Sequence, residues 1–170
     1  PDRLNWTPVP KFGPWEEWGV PELADYNGLV WFRQGFDLSA APTGDGVIEL
    51  AGIDELDTVW INGVPVGATF GWGDWRRYTV PRSALKKGHN EIMVALGDTY
   101  GPGGMFGPGD KIQFTPAGGQ PIPLGKTSSD VSVVVYRYSY GWVCQDCGTA
   151  IGTTRRECEH VKAARSAARS

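Results

Sequence analysis

Cys144-Gln-Asp-Cys147-Gly148, followed by Cys158 and His160, gathers all three cysteines of the chain and one of its two histidines into a short stretch. Two thiolates on a tight turn form a common zinc half-site, and a later Cys and His can close a tetrahedral Cys3His set. With no open coordination position such a Zn2+ is structural, giving folding energy to a segment that has little core of its own. The same residues allow a Cys144–Cys147 disulfide with Cys158 free in an oxidising compartment, or three ordinary reduced thiols. A redox-active pair lacks thioredoxin-like βαβ surroundings. A second group, Trp72, Trp75, Arg76, Arg77 and Tyr78, suits a sugar. Aromatic faces stack on its apolar side while Arg and Asp meet its hydroxyls. Asp98 and Tyr100, with Met105 and Phe106 after them, lie in a glycine-rich stretch that can come beside this group. The candidate ligand-binding residues are therefore Trp72, Trp75, Arg76, Asp98 and Tyr100, and the candidate zinc ligands Cys144, Cys147, Cys158 and His160.

No catalytic set emerges. His89 sits in Lys87-Gly-His-Asn90, a turn before a strand, and no serine occupies a nucleophile elbow. Asp54, Glu55 and Asp57, or Asp74, Asp98 and Asp110, supply carboxylates, but glycoside hydrolysis needs two acids facing each other across the scissile bond. Acids at 54–57 directly precede a strand, where they cap turns, orient an Arg or stay solvated. No catalytic residue is assigned.

The elements that must position these residues are short strands. Gly (24) and Pro (13) are abundant in the 170 residues, and helix formers are sparse. Strands are expected at 29–38, 47–51, 57–61, 64–68, 77–80 and 91–96, with shorter ones at 111–114 and 121–124. Asn62-Gly63 is the turn of a hairpin, 83–87 a short helical turn, and 97–110 a long loop at one end of the sandwich. Trp31 and Trp60 are expected to fill the core. Residues 131–140 read either as a final strand or as the first strand of an appendage. The expected organisation is an extended N-terminal arm at 1–27, a β-sandwich at 28–127, and a strand with a zinc-ribbon-like tail at 128–170. Six basic and four acidic residues from Ser128 onward, against ten and fifteen before it, set the tail apart. A net charge of -3 gives no bulk attraction to nucleic acid or to anionic membrane. No apolar run approaches the ~18 residues of a spanning helix. The chain begins at Pro1, as a processed product, an excised domain or a recombinant piece would.

Four segments carry a family likeness: Gly52-Ile-Asp-Glu-Leu-Asp-Thr-Val-Trp-Ile-Asn-Gly-Val-Pro-Val-Gly67, Gly28-Leu-Val-Trp-Phe-Arg33, Gly71-Trp-Gly-Asp-Trp-Arg-Arg-Tyr78 and Leu85-Lys-Lys-Gly-His-Asn-Glu-Ile92. Over roughly residues 26–125 they resemble the jelly-roll domain attached to sialate O-acetylesterases, a relative of the sugar-binding domain of β-galactosidase-type glycoside hydrolases. The resemblance implies an all-β, galactose-binding-like jelly roll, to which the cysteine spacing adds a small C-terminal zinc-binding appendage. It also implies that the acids at 54–57 belong to the fold signature and that catalytic groups lie in another domain. Cys158–Ala163 resembles the second half of SWIM-type zinc fingers, whose first half is usually Cys-x-Cys rather than Cys-x-x-Cys. The function expected is a noncatalytic carbohydrate-binding or accessory module. The alternative is an assembly or surface-decoration protein on the same scaffold. Expected partners are a glycan or another protein domain, with room for a homo-oligomer and none for membrane insertion or nucleic acid. The sandwich favours an extracellular or particle-surface setting, and the cysteine cluster is compatible with a reducing one.

Overall fold

Asn62 and Gly63 take φ values of 49° and 80°, the two left-handed positions that let a hairpin turn follow the twist of its strands. Around this turn the period-two patterning resolves into two antiparallel sheets. The computed structural model describes residues 6–8, 12–124, 132–136, 142–143 and 150–151. In chain order the strands begin with β1 (Thr7–Pro8), β2 (Gly13–Pro14), β3 (Gly28–Leu38), β4 (Gly46–Ile53) and β5 (Leu56–Ile61). They continue with β6 (Val64–Phe70), β7 (Trp75–Val80), β8 (Gly88–Asp98), β9 (Gly104–Phe106), β10 (Ile112–Thr115), β11 (Ile122–Pro123) and β12 (Ser132–Tyr136). One sheet runs β1-β12-β3-β8-β5-β6. The other runs β11-β10-β4-β9-β2, with β7 along the opposite edge of β4. Short 3-10 turns at Trp15–Trp18 and Pro21–Leu23 carry the chain from β2 in the second sheet to β3 in the first. Pro8, Pro14 and Pro21 keep that segment from running on as a helix.

The core lies between the sheets. Val30, Phe32, Phe36 and Leu38 of β3 alternate inward, as do Ile92, Val94 and Leu96 of β8. They meet Ile48 and Leu50 of β4 and Ile112 and Phe114 of β10. Phe36 and Phe114 stack across the gap at 4.2 Å between ring centroids. Trp18 closes on Phe32 edge-on at 5.7 Å. Gln34, buried in this apolar layer, donates to the Leu124 carbonyl and so carries its amide without an unmet donor.

Three expectations are corrected. Trp31 and Trp60 do not fill the core. Each alternates with buried neighbours, so both sit on the outer face of the first sheet, half-buried and stacked on each other at 5.3 Å. Residues 97–110 are not one loop: Gly104–Phe106 pairs with Gly52 and Ile53 on one side and with Gly13 and Pro14 on the other. Nor is a zinc-binding appendage part of the fold class. Among the described residues no group of three or more His, Cys, Asp or Glu side chains could hold a metal ion. Cys144, Cys147, Cys158 and His160, the residues on which structural Zn2+ was expected, lie outside the described residues. The fold stands as an all-β sandwich of two sheets.

The strand expected near 131–140 is β12, and it pairs with β3 inside the sandwich. A second unit, Arg137–Ser170, contains an antiparallel pair of β13 (Trp142–Val143) with β14 (Ala150–Ile151). Among the described residues no helix is long and apolar enough to cross a membrane.

Candidate functional site

The strands β4, β6 and β8 finish, and β5, β7 and β9 begin, at one end of the sandwich. Three connections meet there: Asp54-Glu55, Gly71–Asp74 and Thr99–Gly103. Glu55 joins them. Its φ of 44° is left-handed, unusual for a residue with a side chain. The conformation turns its carbonyl toward Gly71 N at 2.5 Å and its carboxylate toward Thr99 N at 2.6 Å.

Beneath these loops lies Arg76. With Asp57 it forms an ion pair of 2.6 Å in which neither side chain is exposed to solvent. Its remaining donors reach the carbonyls of Asp74 at 2.6 Å and Gly71 at 2.8 Å, with a longer bond to Glu55 at 3.4 Å. Arg76 stands on β7 and Asp57 on β5, so the pair ties one sheet to the other just below the loops. Tyr78 strengthens the tie by donating to Asp57 Oδ2 at 2.6 Å, with Thr69 Oγ1 at 2.8 Å. Burial, then the bond to Asp57, pushes the Tyr78 phenol up to about 12. Arg76 therefore holds the loop end together, and its guanidinium faces protein acceptors rather than an external ligand.

The other expected ligand residues divide in two. Trp72 and Trp75 are exposed by 79% and 60%, and Tyr100 by 86%. Phe70, absent from the sequence-based set, joins them at 86%. Asp98 instead turns inward, as its parity with Ile92, Val94 and Leu96 requires, and is buried beside Asp54. That parity is the sequence signal that locates it. Its Oδ1 accepts Tyr100 N at 2.9 Å, while Oδ2 of each carboxyl meets no protein donor. A proton retained on Asp98 would donate to Asp54 and so meet both oxygens. Burial is the main cause that raises Asp98 to about 7, and it raises Asp54 as well. Met105 is core and Phe106 half-buried. His89, 3.8 Å from Asp37, is exposed on the outer face of the first sheet.

The acid pair sets a pH dependence. Asp98 folded titrates near 7 against an ordinary 3.8, so between those values the folded chain keeps a proton that the unfolded chain has released. Its contribution to stability is complete below about pH 4 and is lost as pH rises through 7. Asp98→Asn replaces the shared proton with a permanent donor. Its stability relative to wild type is expected to rise by on the order of 1–2 kcal/mol between pH 5 and pH 8 in urea unfolding. A difference that stays constant with pH would rule out the shared proton.

Residues 29–90 match the family model described as "Beta-galactosidase, galactose-binding domain", which spans β3 to the start of β8. The lectin of Pleurotus ostreatus in its apo form aligns over 87% of this chain and 40% of its own at a TM-score of 0.53 and 17% identity. The sandwich shares its fold with that lectin, and residues 29–90 are similar to that domain family. Two glycosidases align less well. A GH2 β-galacturonidase from Eisenbergiella tayi covers 76% of this chain and 20% of its own at 18% identity and a TM-score of 0.45. The β-glucuronidase of Bifidobacterium dentium covers 52% and 15% at 22% identity and a TM-score of 0.47. This jelly roll thus spans a fifth or less of those two glycosidase chains. No curated protein matches the sequence. The family match falls on the β-galactosidase side of the resemblance rather than specifically on sialate O-acetylesterases.

Proposed function

We propose that this jelly roll is a noncatalytic carbohydrate-binding accessory module that takes a glycan at the Trp72–Trp75 end of the sandwich. One observation carries the reading. Four large rings at this end of the sandwich, Phe70, Trp72, Trp75 and Tyr100, stand in solvent, on connections that are linked through Glu55. Exposed rings grouped in this way mark an interaction surface, and flat aromatic faces suit the apolar side of a pyranose. The arrangement beneath them, locked by Arg76 and Asp57, keeps the platform in place before a ligand arrives, which lowers the ordering cost of binding. The lineage is read as that of accessory domains on sialate O-acetylesterases and β-galactosidase-type enzymes, whose chemistry lies in other domains. The setting is read as extracellular or on a particle surface, where such glycans are met.

Calorimetry against a panel of oligosaccharides tests this. Trp72→Ala, Trp75→Ala and Tyr100→Ala are each expected to weaken binding by roughly threefold to tenfold, while unfolding free energies stay within about 0.5 kcal/mol of wild type. Absence of glycan binding together with a stable higher oligomer would replace the reading with that of an assembly protein.

A further inference from the structure

Alternation along β7 turns Arg76 inward and sends Trp75 and Arg77 to the outer face of the second sheet. The Trp75 residue is 60% exposed and the Arg77 side chain 67%. Two residues along a strand separate them by about 6.6 Å, so a side chain as long as arginine reaches a sugar lying on the ring. The neighbouring strands place the guanidinium. Arg77 faces Glu49 of β4, and Glu49 faces Gln113 of β10. Glu49 Oε1 stands 3.5 Å from Arg77 Nε, while Glu49 Oε2 accepts Gln113 Nε2 at 2.7 Å. Among the described residues the two terminal nitrogens of Arg77 meet no acceptor, unlike those of Arg76.

The backbone beside this row is irregular at one step. β4 carries a bulge between Glu49 and Ala51, opposite Arg77 and Arg76, and Ala51 holds a left-handed φ of 58°. A bulge re-aims the side chains around it, and a left-handed alanine is strain of the kind that gathers at functional sites. Stability does not account for the row, since an exposed pair such as Arg77–Glu49 contributes little. A guanidinium with a free edge presents two parallel donors, and the carboxylate of Glu49 beside it only accepts. Vicinal hydroxyls match that pattern, because each can accept from the arginine and donate to the carboxylate.

Resting on the glycan reading above, we infer that Arg77 is a specificity-determining residue of that site, donating to a vicinal pair of hydroxyls on a neutral sugar stacked against Trp75. Glu49 and Gln113 are positioning residues that orient its guanidinium. The test titrates the whole chain by calorimetry with matched neutral tetramers of glucose, galactose and mannose. For the tetramer bound most tightly, Arg77→Met is expected to weaken binding about tenfold. Arg77→Lys is expected to recover less than half of that loss on a logarithmic scale, for want of the planar fork. Both variants are expected to keep the wild-type urea midpoint, as an exposed position should. The decisive comparison is a double-mutant cycle. With Trp75→Ala already present the sugar no longer lies against β7, and adding Arg77→Met is expected to weaken binding less than about twofold further. Unchanged affinity in Arg77→Met, or losses at Trp75 and Arg77 that multiply independently, would overturn the inference while leaving the aromatic glycan site standing. So would an oligosaccharide panel in which only acidic glycans bind. Failure of every glycan to bind would overturn the glycan reading and the role of Arg77 with it.

Discussion

Replacing Arg76 with alanine is expected to cost about 3–5 kcal/mol, a large share of the stability of a domain this size. The guanidinium and the Asp57 carboxylate are both without solvent exposure at 2.6 Å. Without the arginine, Asp57 remains as a buried charge whose other partner is the Tyr78 hydroxyl. The carbonyls of Gly71 and Asp74 lose their donors too. Lysine restores the charge but not the planar fork that meets four acceptors at once, so Arg76→Lys should recover less than half of the loss. Removing both charges, in an Arg76→Met, Asp57→Leu double variant, should lie closer to wild type than Arg76→Ala, because neither charge is left alone. Urea unfolding followed by tryptophan fluorescence ranks the three. A cost below about 1 kcal/mol for Arg76→Ala would mean that the pair does not hold the sheets together.

Trp15→Ala should be nearly as severe, at about 3–5 kcal/mol. The ring is fully enclosed, and its Nε1 donates to the Tyr26 carbonyl at 3.0 Å. Gly103 lies so close to the ring that a Cβ there would strike Trp15. Trp15 N bonds to Gly103 O at 2.9 Å as well. The indole therefore fastens the N-terminal segment to the Tyr100 connection at the candidate site. Trp15→Phe keeps much of the volume and should lose roughly 1–2 kcal/mol through the missing donor and the smaller ring. Gly103→Val is expected to destabilise through the same contact from the opposite side. If Gly103→Val unfolds at the wild-type urea midpoint, the packing described for Trp15 is wrong.

What the sequence disclosed and what it hid follow one rule. The Asn62-Gly63 hairpin and the long β3 strand are written in local signals, a turn dipeptide and an alternation, and both are present. β9 has three residues and no pattern of its own; it is a strand because Gly52, Ile53, Gly13 and Pro14 flank it from distant parts of the chain. Alternation also marks two faces without saying which is inside. Val30, Trp31 and Phe32 are all apolar, and the tryptophan goes outward to meet Trp60. At the candidate site the aromatic cluster around Trp72 was visible as composition. The role of Arg76 was not, since its partner lies 19 residues away on the opposing sheet.

The position of β3 bears on the order in which the molecule can be made. It is made before every other long strand of the sandwich, yet both of its neighbours are late: β8 begins at Gly88 and β12 at Ser132. Until β8 is complete at Asp98, Val30, Phe32 and Phe36 belong to an unpaired ribbon with apolar side chains along it, and the closure of so long a loop is slow. Such a nascent chain pairs β3 only after more than half of the sandwich has been made, with its longest edges open to neighbours meanwhile. Crowding of translating ribosomes, more than any weakness of the finished sandwich, is then the circumstance in which this fold is most exposed to misassembly.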